Sequence, residues 1–164
     1  IFENLSRSGD HTVLTAGIRA GGLETILRSD GNYTLFAPVS NAIIHEIPAG
    51  RAEQLFNELL PEQEPELYAI VSYHVIAEKI SFGELEQRIN AAKGTLSLKT
   101  LHGKMLTLMQ DEDKNIIVKD DYGRKSTLIQ PDISQKNGFI HVVSQALLPE
   151  GSLQPRDYKW DCNN

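Results

Sequence analysis

At 164 residues and 18.3 kDa the chain has the size of one domain, large enough to bury a core without disulfides or metals. Its 40% hydrophobic and 23% charged residues are those of a folded globular protein, and no apolar run approaches the roughly 20 residues of a membrane-spanning helix. A net charge of −6 and a pI near 5.3 exclude nucleic acid as a partner, because neutralising phosphates requires a concentrated basic face.

The N-terminal third reads as helices feeding one strand. Asp10 is a candidate N-cap for a helix carrying Val13, Leu14 and Ile18, and Gly21-Gly22 separates it from a second helix with Leu23, Ile26 and Leu27. Asp30-Gly31-Asn32 is turn chemistry, Tyr33 to Ala37 alternates as a strand, and Pro38 ends it by withholding a ladder donor. Ser40 is placed to cap a short helix through Ile43 and Ile44, closed by Pro48-Ala49-Gly50. Ala52, Leu55, Phe56, Leu59 and Leu60 predict the next helix, and 61–65 an acidic linker. Pro65 then opens a helix with Leu67, Ile70 and Val71. Ser81-Phe82-Gly83-Glu84 has capping-box spacing and predicts a helix through Leu85 and Ile89.

After Gly94 the texture changes to short alternating strands: 95–101, 104–109, 115–119, 126–130 and 139–146, separated by turn-rich steps. Helices early and strands late predict an α+β domain. Lys119, Arg124 and Lys125, interrupted by Asp120 and Asp121, read as a solvated hairpin. Residues 151–164 read as a polar C-terminal tail or linker, on which Trp160 could fold back. Cys162, the single cysteine, lies in this tail and has no internal disulfide partner.

The catalytic and ligand-binding patterns are missing. The five histidines, His11, His45, His74, His102 and His141, have no pair within one helical turn and no cysteine pair to join, so neither a metal nor another cofactor is expected. No Gly-x-Ser-x-Gly elbow and no phosphate-binding glycine loop occurs. Acidic residues cluster at 62–66 and at Asp111-Glu112-Asp113, but the second lacks the glycine and distal glutamate of a calcium loop and reads as a hairpin turn. Two glycosylation sequons, at Asn4 and Asn32, are present, Asn32 being the one in an exposed turn.

Three separated segments carry a resemblance. Tyr33-Thr34-Leu35-Phe36-Ala37-Pro38, Tyr73-His74-Val75-Ile76 and Asn137-Gly138-Phe139-Ile140-His141, with Leu147-Leu148-Pro149 as a close, match in order and spacing the motifs of the fasciclin-like domain. The chain resembles that family over about residues 5–150. The resemblance implies one domain over residues 1–150, a compact wedge of two small β-sheets with a helical layer packed on one side. It also makes Phe36, Pro38, Tyr73, His74, Asn137, Gly138 and His141 structural motif residues, the two histidines being buried, neutral and hydrogen-bonded. Val39-Ser40 departs from the Thr-Asn or Ser-Asp usual after the Ala-Pro step, and Ile43 stands where an aromatic is common.

The sharpest functional candidate is Gln130-Pro131-Asp132-Ile133. In animal members of the family an Asp-Ile pair at this place is linked to integrin binding, often preceded by Glu-Pro, so the resemblance makes Asp132 and Ile133 a candidate adhesion contact. The plainer account, which the sequence favours, puts Ile133 in the core and has Asp132 cap a local turn. The expected function is a non-catalytic module of an extracellular or cell-surface protein, secreted or lipid-anchored, mediating adhesion or matrix attachment. Its expected partner is a surface or matrix protein or a polysaccharide. It would be a monomer, touching a membrane only through an anchor outside this chain. The alternative is a carrier holding a small apolar ligand between sheet and helix layers.

Overall fold

The computed structural model describes residues 1–46 and 64–152. The sequence expectations for a helix over 52–60, the linker after it and the tail with Trp160 and Cys162 lie outside the described residues.

The chain opens with α1 (Phe2–Arg7), a 3-10 turn (Gly9–His11), α2 (Thr12–Ala20) and α3 (Glu24–Arg28). Then come β1 (Tyr33–Pro38), α4 (Ser40–Glu46), α5 (Glu64–Tyr73), β2 (Val75–Ile76) and α6 (Phe82–Ala91). The strands β3 (Thr95–Lys99), β4 (Met105–Gln110), β5 (Ile116–Lys119), β6 (Lys125–Gln135) and β7 (Gly138–Val143) complete it. This is the expected α+β order.

The seven strands among the described residues join in one mixed sheet, ordered β2-β1-β7-β6-β5-β4-β3. The two small sheets of the expectation are its two wings, and β6 belongs to both: Lys125 to Thr127 pair with β5, and Leu128 to Gln135 pair with β7. Among the described strands only β1 and β7 run parallel, from Tyr33 opposite Gly138 to Pro38 opposite Val143. Two bulges bend β6 where the wings meet, the bending that an extra unpaired residue imposes on a strand. The fold turns far enough for Ile76 to bridge Thr100, bringing the two ends of the sheet together.

Bending the sheet creates two cores. Leu35, Ala37 and Ile140 point to one face of the β1–β7 wing, where Phe2, Leu5, Leu14, Ile18, Leu27 and Val71 of the helices cover them. Phe36 and Val143 point to the other face, into a cluster with Tyr73, Ile80, Leu85, Ile89, Leu106 and Val118 that fills the space between the wings and α6. β1 is therefore buried on both sides, which accounts for its near-continuous apolar run.

Three local expectations need correction. Asp10 does not cap α2; its side chain makes no cap bond, and Ser40 Oγ arrives from α4 to accept the Val13 N–H at 3.3 Å and donate to the Asp10 carbonyl at 3.0 Å. The Ser40 hydroxyl thus serves another helix. The predicted strand at 126–130 continues through Pro131 to Gln135, because the bulges carry the pairing past a residue without an N–H. The β5–β6 turn is not wholly solvated: the Asp120 side chain is fully buried and pairs with Arg124 Nη2 at 2.8 Å. The capping box is present as read, with Ser81 Oγ accepting from Glu84 N–H and Glu84 Oε2 accepting from Ser81 N–H at 2.9 Å.

Candidate functional site

The three motifs converge on the junction between the wings, and each polar side chain in them has a defined partner. Thr34 is fully buried; its hydroxyl donates to the Glu78 carbonyl (2.6 Å) and accepts the Ile80 N–H (2.9 Å), fixing the loop before α6. Phe36 and Pro38 are buried on the same strand, and the Pro38 carbonyl accepts from His11 Nδ1 at 3.1 Å. Tyr73 donates to the Met105 carbonyl (3.0 Å) and accepts the Asp121 N–H (3.1 Å). Burial, reinforced by the charges of Asp121 and Asp120, raises its phenol well above the ordinary tyrosine range.

Both motif histidines are buried, and their partners fix their chemistry. His74 faces the Ile70 carbonyl through Nδ1 (2.7 Å) and the Leu147 N–H through Nε2 (3.0 Å). A carbonyl requires a donor and an amide requires an acceptor, so the ring is the neutral Nδ1–H tautomer. His141 has the opposite arrangement: Nδ1 accepts the Asp132 N–H (3.1 Å) and Nε2 donates to the Ile80 carbonyl (2.9 Å). Desolvation lowers both pKa values, that of His74 to about 4.

This has a sign for stability. An unfolded His74 takes up a proton below about 6.5, whereas the folded one resists until about 4. The native state therefore keeps the full contribution of neutral His74 above 6.5 and loses it as pH falls towards 4, by about 3 kcal/mol at 1.4 kcal/mol per unit. Urea midpoints measured across that window should show the fall. His74→Ala should lose about 1–3 kcal/mol at neutral pH and show a flatter pH dependence; equal slopes in the two proteins would contradict the assignment.

Asn137 and Gly138 form the third corner. Asn137 Nδ2 donates to the carbonyls of Leu27 (2.8 Å) and Ser29 (2.9 Å), while its Oδ1 accepts from the Ile1 nitrogen at 2.7 Å. Gly138 lies so close to β1 that a Cβ there would sit 1.7 Å from the Tyr33 carbonyl oxygen.

The candidate contact lies on the bulged part of β6. Asp132 has φ 56, its N–H is held by His141, and its Oδ1 accepts the Phe82 N–H at 2.7 Å, so it caps α6 from across the fold. Its side chain is at the surface; Ile133 is half-buried against the helix-side core. Sequence reasoning missed Ile129, which is 56% exposed and begins a run of consecutive exposed residues with Gln130, Pro131 and Asp132. Its signal was present: Ser126 and Leu128 occupy the buried phase of the strand, which leaves Ile129 on the outer one.

Among the described residues no three histidine, cysteine, aspartate or glutamate side chains are grouped to hold a metal ion. Nor is any helix among them long and apolar enough to cross a membrane. A cleft of about 240 Å³ is lined by Glu3, Asn4, Arg28, Asp30, Gln135 and Lys136 among others.

A helix-covered, sharply bent sheet with three motifs locked at its junction defines the fasciclin class of fold. The family model "Fasciclin domain" matches residues 9–149, and the chain belongs to that family. It is 32% identical to Protein sll1483 of Synechocystis over 149 residues, covering 91% of this chain and 73% of that one. It is 30% identical to transforming growth factor-beta-induced protein ig-h3 of Sus scrofa over 85% of this chain, which spans 18% of that longer protein. The solved FAS1 domain pair from the insect cell adhesion molecule Fasciclin I superposes with a TM-score of 0.51 at 19% identity, over 89% of this chain and 43% of that one, and so shares the fold.

Proposed function

We propose that the chain is a non-catalytic binding module acting outside the cell or at its surface, where it mediates adhesion or matrix attachment through the bulged segment of β6. The observation that carries this reading is the exposed run Ile129 to Asp132, which offers an apolar side chain and a carboxylate within four consecutive exposed residues. Hydrogen bonds to His141 and Phe82 hold Asp132 in place, so little conformational entropy is lost on binding. A similar fold in an insect cell adhesion molecule supports the same reading. The expected partner is a surface or matrix protein or a polysaccharide. The working unit is one domain, monomeric, over residues 1–150, with 151–164 as a tail or linker and any membrane anchor outside this chain.

The non-catalytic part rests on the motif side chains, whose polar atoms are occupied in holding the wings together. The carrier alternative has less support. The cleft, though Ile1, Phe2 and Leu27 are in its lining, has a charged rim with Arg28 paired to Glu3 and Lys136 to Asp30, and does not favour an apolar ligand there.

Attachment of cells or matrix to immobilised protein tests the reading. Ile129→Ser should reduce attachment with an unchanged melting temperature, since the side chain is mostly in water. Asp132→Ala should weaken attachment and, by removing the cap on Phe82, cost about 1 kcal/mol. Ile133→Ala should chiefly cost stability, about 2 kcal/mol for a partly buried aliphatic. Full attachment by all three variants would place the contact elsewhere.

A further inference from the structure

The bulge that carries Asp132 is held by an acceptor that a single proton abolishes. Asp132 sits at φ 56, a left-handed conformation unfavourable for a residue with a Cβ. Two bonds hold it there: its own N–H to His141 Nδ1 and the Phe82 N–H to its Oδ1. His141 also donates through Nε2 to the Ile80 carbonyl, so one ring ties β7 to the bulge and to the loop that starts α6. Thr34 pins that loop at Glu78 and Ile80, which keeps it in place when the ring lets go.

We propose that His141 is an acid-sensitive latch: protonating Nδ1 sets a ring N–H against the Asp132 N–H, releases the bulge and the α6 cap, and so reshapes the surface from Ile129 to Asp132. The inference that this regulates attachment rests on the functional reading above; the latch itself does not.

The surroundings set the direction. Burial opposes charging of the ring. Phe139 stacks on it with centroids 6.1 Å apart, and Lys79 Nζ lies 5.3 Å from the outer Phe139 ring. Phe36 of β1 packs on it without charge. The Asp132 carboxylate favours protonation. Of the other charges on the loop and α6, Glu78 and Arg88 pair with each other, Glu84 accepts from Ser81 at the helix start, and Glu86 accepts from Gln110. Once the ring is charged, the same carboxylate is drawn from Phe82 towards the imidazolium. The ligand-facing carboxylate turns inward, and attachment falls severalfold on acidification.

Nuclear magnetic resonance of the whole chain, titrated from about pH 7.5 to about 4.5 around the histidine range, reads the latch directly. The Asp132 and Phe82 amide signals should shift with the midpoint of the His141 ring signals while the rest of the fold stays native. Amides that stay still while the ring titrates, or a ring that stays neutral until the whole domain unfolds, would overturn the latch. In parallel, attachment at about pH 5 is compared for the natural chain and His141→Asn, whose amide oxygen accepts without ionising. The natural chain should lose attachment reversibly between about pH 7.5 and about 5, and the variant's attachment, whatever its level at neutral pH, should not change across that range. Moving amides with pH-independent attachment, in a protein that Ile129→Ser does disable, would refute the regulatory part. Moving amides together with full attachment by Ile129→Ser and Asp132→Ala would support the latch and refute the contact reading.

Discussion

Replacing Gly138 with alanine should destabilise the domain by about 4 kcal/mol or more, the range reached only by clashes and losses inside the core. The added Cβ would stand 1.7 Å from the Tyr33 carbonyl oxygen and 2.7 Å from its carbon, both backbone atoms with no flexible end to swing aside. The glycine φ of 153 adds strain for a residue with a side chain. Tyr33 cannot retreat, because it starts the parallel ladder with β7 and its N–H is bound to the Asn137 carbonyl at 2.9 Å. Relief requires β1 and β7 to separate at the end where the helical layer also attaches through Asn137 to Leu27 and Ser29. A thermal melt followed by circular dichroism should move down by about 10 °C or more for a domain of this size. A shift of only a few degrees would mean that the junction relaxes and that the close approach is incidental.

The parts of the fold legible in the sequence are those that local physics decides. Ser81 and Glu84 lie three residues apart and complete each other's bonds, so the start of α6 was readable. The break at Gly21-Gly22, the end of β1 at Pro38 and the strand phases after Gly94 were readable for the same reason. Pairing was not. β1 and β7 meet across about a hundred residues, and the period of a strand says which faces are apolar without saying who lies alongside. The β6 boundary failed because Pro131 is a strand stop only when its missing N–H is needed, and the bulges remove that need. Asp10 failed as a cap because Ser40, which follows a different strand, was already supplying the oxygen.

The candidate site divides in the same way. Burial of His74 and His141 was implied by the motifs they stand in, but which nitrogen accepts depends on Leu147, 73 residues from His74, and on Asp132, across the β6–β7 turn from His141. Asp132 was expected to cap something local. It caps α6, whose first residue lies 50 positions earlier. An aspartate offers the same acceptor to any amide, and only the tertiary fold selects one.

Asp120 is the sharpest example, and its replacement is the second large effect. In sequence it sits among Lys119, Asp121, Arg124 and Lys125, where a solvated turn is the ordinary expectation. In the fold its carboxylate is a hub: Oδ1 accepts the N–H groups of Tyr122 and Arg124, each at 3.0 Å, and Oδ2 accepts Arg124 Nε at 3.0 Å and the Leu148 N–H at 3.1 Å. The turn and the closing Leu147-Leu148 segment are thereby held together by one side chain that water does not reach. Asp120→Ala removes the acceptor of three backbone amides, one of them buried, and the carboxylate partner of the Arg124 guanidinium, so a loss of about 3 kcal/mol is expected. That is the lower end for breaking a buried pair, because Arg124 is 30% exposed and water reaches part of it. Asp120→Asn should fare little better, since an amide NH2 in the Oδ2 position would face the guanidinium and the Leu148 N–H, donor against donor. Urea unfolding of both variants decides the matter. An ordinary surface ion pair would cost under about 1 kcal/mol. A loss that small would show that the Tyr122 and Leu148 amides find other acceptors and that this carboxylate does not hold the closing segment in place.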